Sequence, residues 1–84
     1  MNILEYRIQL FKKFLSENGI TAEFLHELKP KHNSIEEYFK YLHNRQLHIR
    51  SAFFLAFYWK KNSKVPWQIH SKNWREFLKK RGTL

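Results

Sequence analysis

The sequence predicts an all-α fold, a compact bundle of four to five short helices forming a single domain over residues 1–84. Three observations carry this expectation. Apolar residues return at steps of three and four, as in Leu4, Ile8, Phe11 and Leu15, which is the period of one helix face. Asn2 with Glu5, and Ser34 with Glu37, are capping-box pairs placed ahead of such stripes. The one run rich in strand-favouring aromatics, Ala52 to Trp59, has no second strand-like run to pair with.

Helix one is expected over residues 2–18, with Leu10 and Phe14 widening its stripe. It ends at Asn18-Gly19, because glycine readily takes the left-handed conformation of a helix C-terminus. Thr21 is expected to cap helix two, with Ile20 and Leu25 at hydrophobic-staple spacing. Lys29-Pro30 stops that helix, since the residue before a proline avoids the helical region. Its inward residues are expected to be Phe24, Leu25 and Leu28. Helix three opens at Ser34 and carries Ile35, Tyr38, Phe39 and Leu42 at i, i+3, i+4 and i+7. A polar turn within His43–Gln46 precedes a central buried helix from about Leu47 to Lys61; Ala52, Ala56 and the length of the run favour helix over strand. Asn62–Pro66 is a turn, with Pro66 suited to the first position of the last helix. That helix places Trp67, His70, Trp74, Phe77 and Leu78 on one side, and Gly82 closes it.

A chain of 84 residues buries only about 60% of its unfolded surface, so its core must be densely apolar. With 43% hydrophobic and 18% aromatic residues, it can be. Cysteine is absent, which removes the disulfides of small secreted domains. The segment Met1–Arg7 has neither a basic leader nor an unbroken apolar stretch, so no signal peptide and a cytoplasmic location are expected. The longest apolar run has eight residues, where a membrane span needs about 20.

Charge is distributed unevenly. Residues 1–37 hold six Glu against five Lys or Arg, a net of −1; residues 38–84 hold eleven Lys or Arg against Glu76 alone, a net of +10. An imbalance of this kind repels itself in the folded state and points to an anionic partner. The basic residues Arg45, Arg50, Lys60, Lys61, Lys64, Lys72, Arg75, Lys79, Lys80 and Arg81 all fall on the last two helices and the turn between them. Those helices are expected to be antiparallel neighbours, bringing some of these side chains into one patch. A phosphate backbone requires no more than such a patch. Gln68, Asn73 and Arg75 are of the types that read base edges. Of fifteen aromatics, Phe11, Phe14, Phe39, Phe53, Phe57 and Trp74 fit core positions. Tyr41, Tyr58, Trp59 and Trp67 are expected at the edge, where rings beside arginine form binding hot spots or stack on unpaired bases.

Catalysis is not expected. With neither Asp nor Cys, thiol chemistry and Asp-based metal sites are excluded. His70-Ser71 are helix neighbours facing different ways. His26, His32, His43, His48 and His70 lack the i, i+4 spacing of helical metal ligands and the Cys/His finger patterns. No metal and no cofactor is expected, and no glycine-rich phosphate loop is present.

The segment Ala52-Phe53-Phe54-Leu55-Ala56-Phe57-Tyr58-Trp59, followed by Trp67 and Trp74-Arg75-Glu76-Phe77-Leu78, resembles small orphan proteins encoded by phages and mobile elements. In that type an aromatic helix precedes a turn and a Trp-containing closing helix. The resemblance spans roughly residues 9–81; the turn here, Asn62–Pro66, has no glycine where that type has one. In size and setting the chain is also similar to anti-CRISPR proteins, which bind a bacterial defence nuclease without catalysis. The resemblance implies an inhibitor or modulator docking on a nuclease or ribonucleoprotein, possibly on its RNA, through the basic, aromatic-rimmed surface of residues 45–81. Being basic, the chain cannot mimic nucleic acid and would touch guide RNA or an acidic protein surface. The charge by itself supports the alternative of a stand-alone DNA- or RNA-binding regulator. A third reading, a peripheral membrane peptide, rests on two Trp in a basic last helix.

Overall fold

The ends of the helices are set by local chemistry, and the computed structural model, which describes residues 2–83, places those of every helix but the central one close to where the sequence predicts. The order is α1 (Ile3–Glu17), α2 (Thr21–Leu28), α3 (Ile35–Asn44), a 3-10 turn (Ile49–Ser51) running into α4 (Ala52–Phe57), and α5 (Trp67–Lys80). No strand forms among the described residues, and the fold is the expected all-α bundle. The Asn2 side chain accepts the Glu5 N–H at 2.8 Å to start α1. The Ser34 hydroxyl accepts the Glu37 N–H at 3.1 Å to start α3. Helix α1 ends in a Schellman turn: Gly19 sits at φ +64°, the Ile20 N–H reaches Leu15 O at 3.0 Å, and the Gly19 N–H reaches Ser16 O at 3.1 Å. Gly82 repeats this after α5 at φ +70°, with Thr83 bonded back to Leu78. Helix α3 ends the same way without a glycine, for Gln46 takes φ +56° while Leu47 bonds back to Leu42.

Three expectations need correcting. Thr21 does not cap α2. The turn at Gly19 is so tight that the Ile20 carbonyl already accepts the Phe24 N–H at 2.8 Å, and Thr21 lies inside the helix. Pro66 precedes α5 instead of opening it, its carbonyl accepting from Ile69 and His70. The central helix is far shorter than 47–61. At its start the His48 ring accepts the Arg50 N–H at 3.1 Å and the Trp74 indole donates to Ile49 O at 2.8 Å, a geometry that holds 49–51 as a 3-10 turn. At its end Lys60 folds back toward α2. Leu25, expected inward, is half-buried, whereas Phe24 and Leu28 are fully enclosed.

The core is largely aromatic and has a centre. Phe11 of α1 is fully buried, and its ring lies 5.1 Å from Phe24 of α2, 5.0 Å from Phe39 of α3, 5.3 Å from Phe53 of α4 and 4.9 Å from Trp74 of α5. One side chain therefore touches every helix, mostly in the edge-to-face or tilted arrangements that aromatic quadrupoles favour. The buried Tyr38 hydroxyl donates to Ala52 O, so both buried polar tips, Tyr38 and Trp74, are satisfied by carbonyls at the start of α4. The Cα radius of gyration, 11.9 Å, is what a single folded unit of this length should have. None of the helices is long and apolar enough to cross a membrane among the described residues.

Candidate nucleic-acid interface

Helix α5 lies antiparallel to the 49–57 segment. Trp74 meets Ile49, His70 stacks near Phe53 with ring centres 6.0 Å apart, and Trp67 meets Phe54 edge-on at 5.9 Å. With Ile49, Ala52, Phe53, Ala56 and Phe57 buried, helical geometry puts Arg50, Phe54 and Tyr58 in a row on the outer side. On α5 the row Trp67, Ser71, Arg75 faces them, again at steps of four. The two rows enclose a groove lined by Arg50, Ser51, Phe54, Trp67, Ser71 and Arg75.

Two further hollows adjoin it. Arg75 also lines one with Lys72, Glu76 and Lys79, and Trp67 also lines one with Gln68 and the turn from Lys60 to Pro66, Lys61 and Lys64 included. Arg75 and Trp67 each border two of these three hollows, which together make a furrowed surface. It gathers Arg50, Lys61, Lys64, Trp67, Lys72, Arg75 and Lys79, and Glu76 is the one carboxylate lining it among the described residues.

The remaining candidates are set apart to different degrees: Lys60 borders the turn hollow, and the hollow of Lys80 and Arg81 adjoins the furrow through Glu76. Lys80 and Arg81 project from the other flank of α5, in a hollow shared with Glu17 and Glu76, and the Arg81 guanidinium sits 3.9 Å over the Phe77 ring. Arg45 is at the end of α3, 4.9 Å over Tyr41, and lines none of these hollows. Lys60 turns inward: its ammonium bonds the Glu27 carboxylate at 3.0 Å and the Glu27 backbone carbonyl. It also lies 4.9 Å over Trp59, whose ring Lys31 approaches at 4.8 Å.

Electrostatics around the furrow follow from this packing. Burial by itself would push the Glu27 carboxyl up. The hydrogen bond from Lys60, the Lys64 N–H at 3.3 Å and the Lys60 charge outweigh it and hold Glu27 below the usual carboxylate value. That ionised carboxylate pins the 60–64 turn to α2 and so positions Lys61, Lys64 and Trp67. At the other end, burial first, then Arg50 and Arg7, hold His48 below the usual imidazole value. Burial does the same to His70, whose Nδ1 has no partner.

Phe54, at the middle of the furrow, is the residue sequence reasoning missed. It is 49% exposed and its neighbour Tyr58 is 63% exposed. The signal was present: once Phe53 and Phe57 are assigned inward, positions 54 and 58 of the same helix must face out. Trp74, one of the two tryptophans behind the membrane reading, is fully buried and bonded to Ile49, so α5 does not present both rings. His70 stacks inward while Ser71 lines the groove, so the two do not form a dyad. Among the described residues no three imidazole or carboxylate groups stand close enough to share a metal ion. No protein-family model matches the chain, and no curated protein or solved structure matches it either.

Proposed function

We propose that this chain is a non-enzymatic binding protein that grips the phosphate backbone of a nucleic acid along the furrow between α4 and α5. The observation that carries this reading is the convergence of Arg50, Lys61, Lys64, Lys72, Arg75 and Lys79 on hollows that share Trp67 and Arg75 as lining residues. Six cations lining adjoining hollows with a single carboxylate among them repel one another, and a polyanion relieves the repulsion while releasing its own counterions. The inhibitor reading uses the same surface: the nucleic acid is then the RNA of a host nuclease or ribonucleoprotein, in the manner of an anti-CRISPR protein. The charge suits exposed RNA and opposes any mimicry of it.

Fluorescence anisotropy with labelled RNA and DNA tests the reading. Each neutralised phosphate contributes about −0.7 to −0.9 to the log–log salt slope, so full use of the six cations gives a slope of roughly −4 to −5. The double variant Arg50→Gln/Arg75→Gln should lower that slope by about 1 to 2, whereas Arg45→Gln should leave it unchanged. Absence of binding to every oligonucleotide at low salt would falsify the proposal. Capture from host lysate with and without RNase separates a ribonucleoprotein target from free nucleic acid.

A further inference from the structure

Resting on that reading, we infer that the furrow takes single-stranded nucleic acid, with unpaired bases stacked on a ledge made by Phe54, Tyr58 and Trp67. The rings of Phe54 and Tyr58 are nearly parallel, 19° apart with centres 5.8 Å apart, and Trp67 meets Phe54 at 65° with centres 5.9 Å apart, leaving Phe54 49% exposed. Tyr58, beside Phe54, is 63% exposed.

Three of the four other outer aromatics, all but Tyr6, are covered in a way the ledge is not. Tyr41 carries Arg45 on its face, Trp59 carries Lys31 and Lys60, and Phe77 carries Arg81. Each of those rings already has its π-face occupied by a cation of the same molecule. Phe54, Tyr58 and Trp67 have no such cover among the described residues, although Arg50 and Arg75 line the same groove as two of them. Open aromatic faces flanked by guanidinium groups match the two features of an extended strand, its base faces and its phosphates.

A duplex does not use this ledge, because its base faces are stacked inside and it offers only edges and phosphates. The geometry therefore commits the site to unpaired nucleotides. Gln68, at the rim beside Trp67, can hydrogen-bond the edge of a base stacked there.

The experiment compares a single strand of about 12 nucleotides with the blunt duplex of the same sequence, at about 50 mM salt, by anisotropy. The wild-type protein is expected to bind the single strand more tightly and to lose tryptophan fluorescence on doing so. The variant Phe54→Leu/Tyr58→Leu keeps the charge and changes only exposed positions, so folding is retained and circular dichroism confirms it. Its single-strand affinity should fall about 5- to 150-fold, the range for loss of one stacked base, with duplex affinity within about twofold of wild type.

Equal wild-type affinity for the two forms, or an equal loss of both in the variant, overturns the ledge and leaves the phosphate-binding reading standing. Failure of the wild type to bind either form overturns both. Wild-type capture of a protein from RNase-treated lysate that the variant loses, with no strand binding, reassigns the ledge to a protein contact and likewise overturns the inference.

Discussion

The ion pair between Glu27 and Lys60 ties the 60–64 turn to α2, and removing one member tests how firmly. The two groups are 3.0 Å apart, and their side chains are only 11% and 16% exposed. Deleting one partner of a buried pair typically costs about 3–5 kcal/mol, because the other charge stays enclosed without compensation. The residual exposure places this pair at the lower end, about 3 kcal/mol for Lys60→Met. A domain of 84 residues has a total stability of about 4–13 kcal/mol, so this is a large share. It corresponds to a fall in Tm of roughly 12 °C or more, measured by thermal or urea unfolding. Glu27→Leu should cost a similar amount and also frees the Lys64 N–H. The double variant should recover much of the loss, since a well-packed apolar pair tolerates burial. Glu27 is held below its ordinary value of 4.5, so its contribution is fully present above that pH and is lost as pH falls through the folded-state value. Lys60→Met should therefore flatten the acid limb of the stability curve. Single-variant losses under about 1 kcal/mol with no coupling in the cycle would refute the claim that this pair positions the turn.

Three further outcomes follow from the packing. Gln46→Gly should stabilise the protein by about 0.5–1 kcal/mol in urea unfolding, because Gln46 holds φ +56°, a conformation that carries no steric penalty for glycine. Trp74→Phe should cost about 2–4 kcal/mol in the same assay, as it leaves the buried Ile49 carbonyl without the indole N–H and opens a small cavity against Phe11 and Phe14. Finally, burial is the leading cause holding His32, His48 and His70 below the ordinary value of 6.5. Just below that pH the unfolded chain binds more protons than the folded one, so stability should fall as pH drops from 6.5 through the folded-state values. Each group contributes up to about 1.4 kcal/mol per pH unit within its window. His70→Phe, which keeps a ring against Phe53, should shallow that slope in a pH series of melting curves.

The features legible in the sequence are those that act over a few residues. Asn2, Ser34, Gly19 and Gly82 mark helix ends through bonds spanning three to five positions, and Lys29-Pro30 stops α2 because the steric clash is between neighbours. The stripes of α1 and α3 name core residues in advance because one face of a helix must be apolar if it is to be buried. Thr21 and the 47–61 helix were misjudged for a different reason. Each depends on a partner distant in the chain or on the tightness of a preceding turn: Trp74 on Ile49, Lys60 on Glu27, and Gly19 on the path into α2.

For the interface the same division holds. Net charge and its bias toward residues 38–84 are properties of composition, and they are what first suggested an anionic partner. Which cations line the same hollows was decided by the tertiary structure. Antiparallel packing of α4 on α5 sets Arg50 beside Arg75 and leaves Phe54 and Tyr58 outside, while the buried pull of Glu27 withdraws Lys60 and the turn of α5 sends Lys80 and Arg81 to its other flank. A charge count is additive along a chain, but a binding groove depends on distances between side chains, and those exist only once the helices have packed.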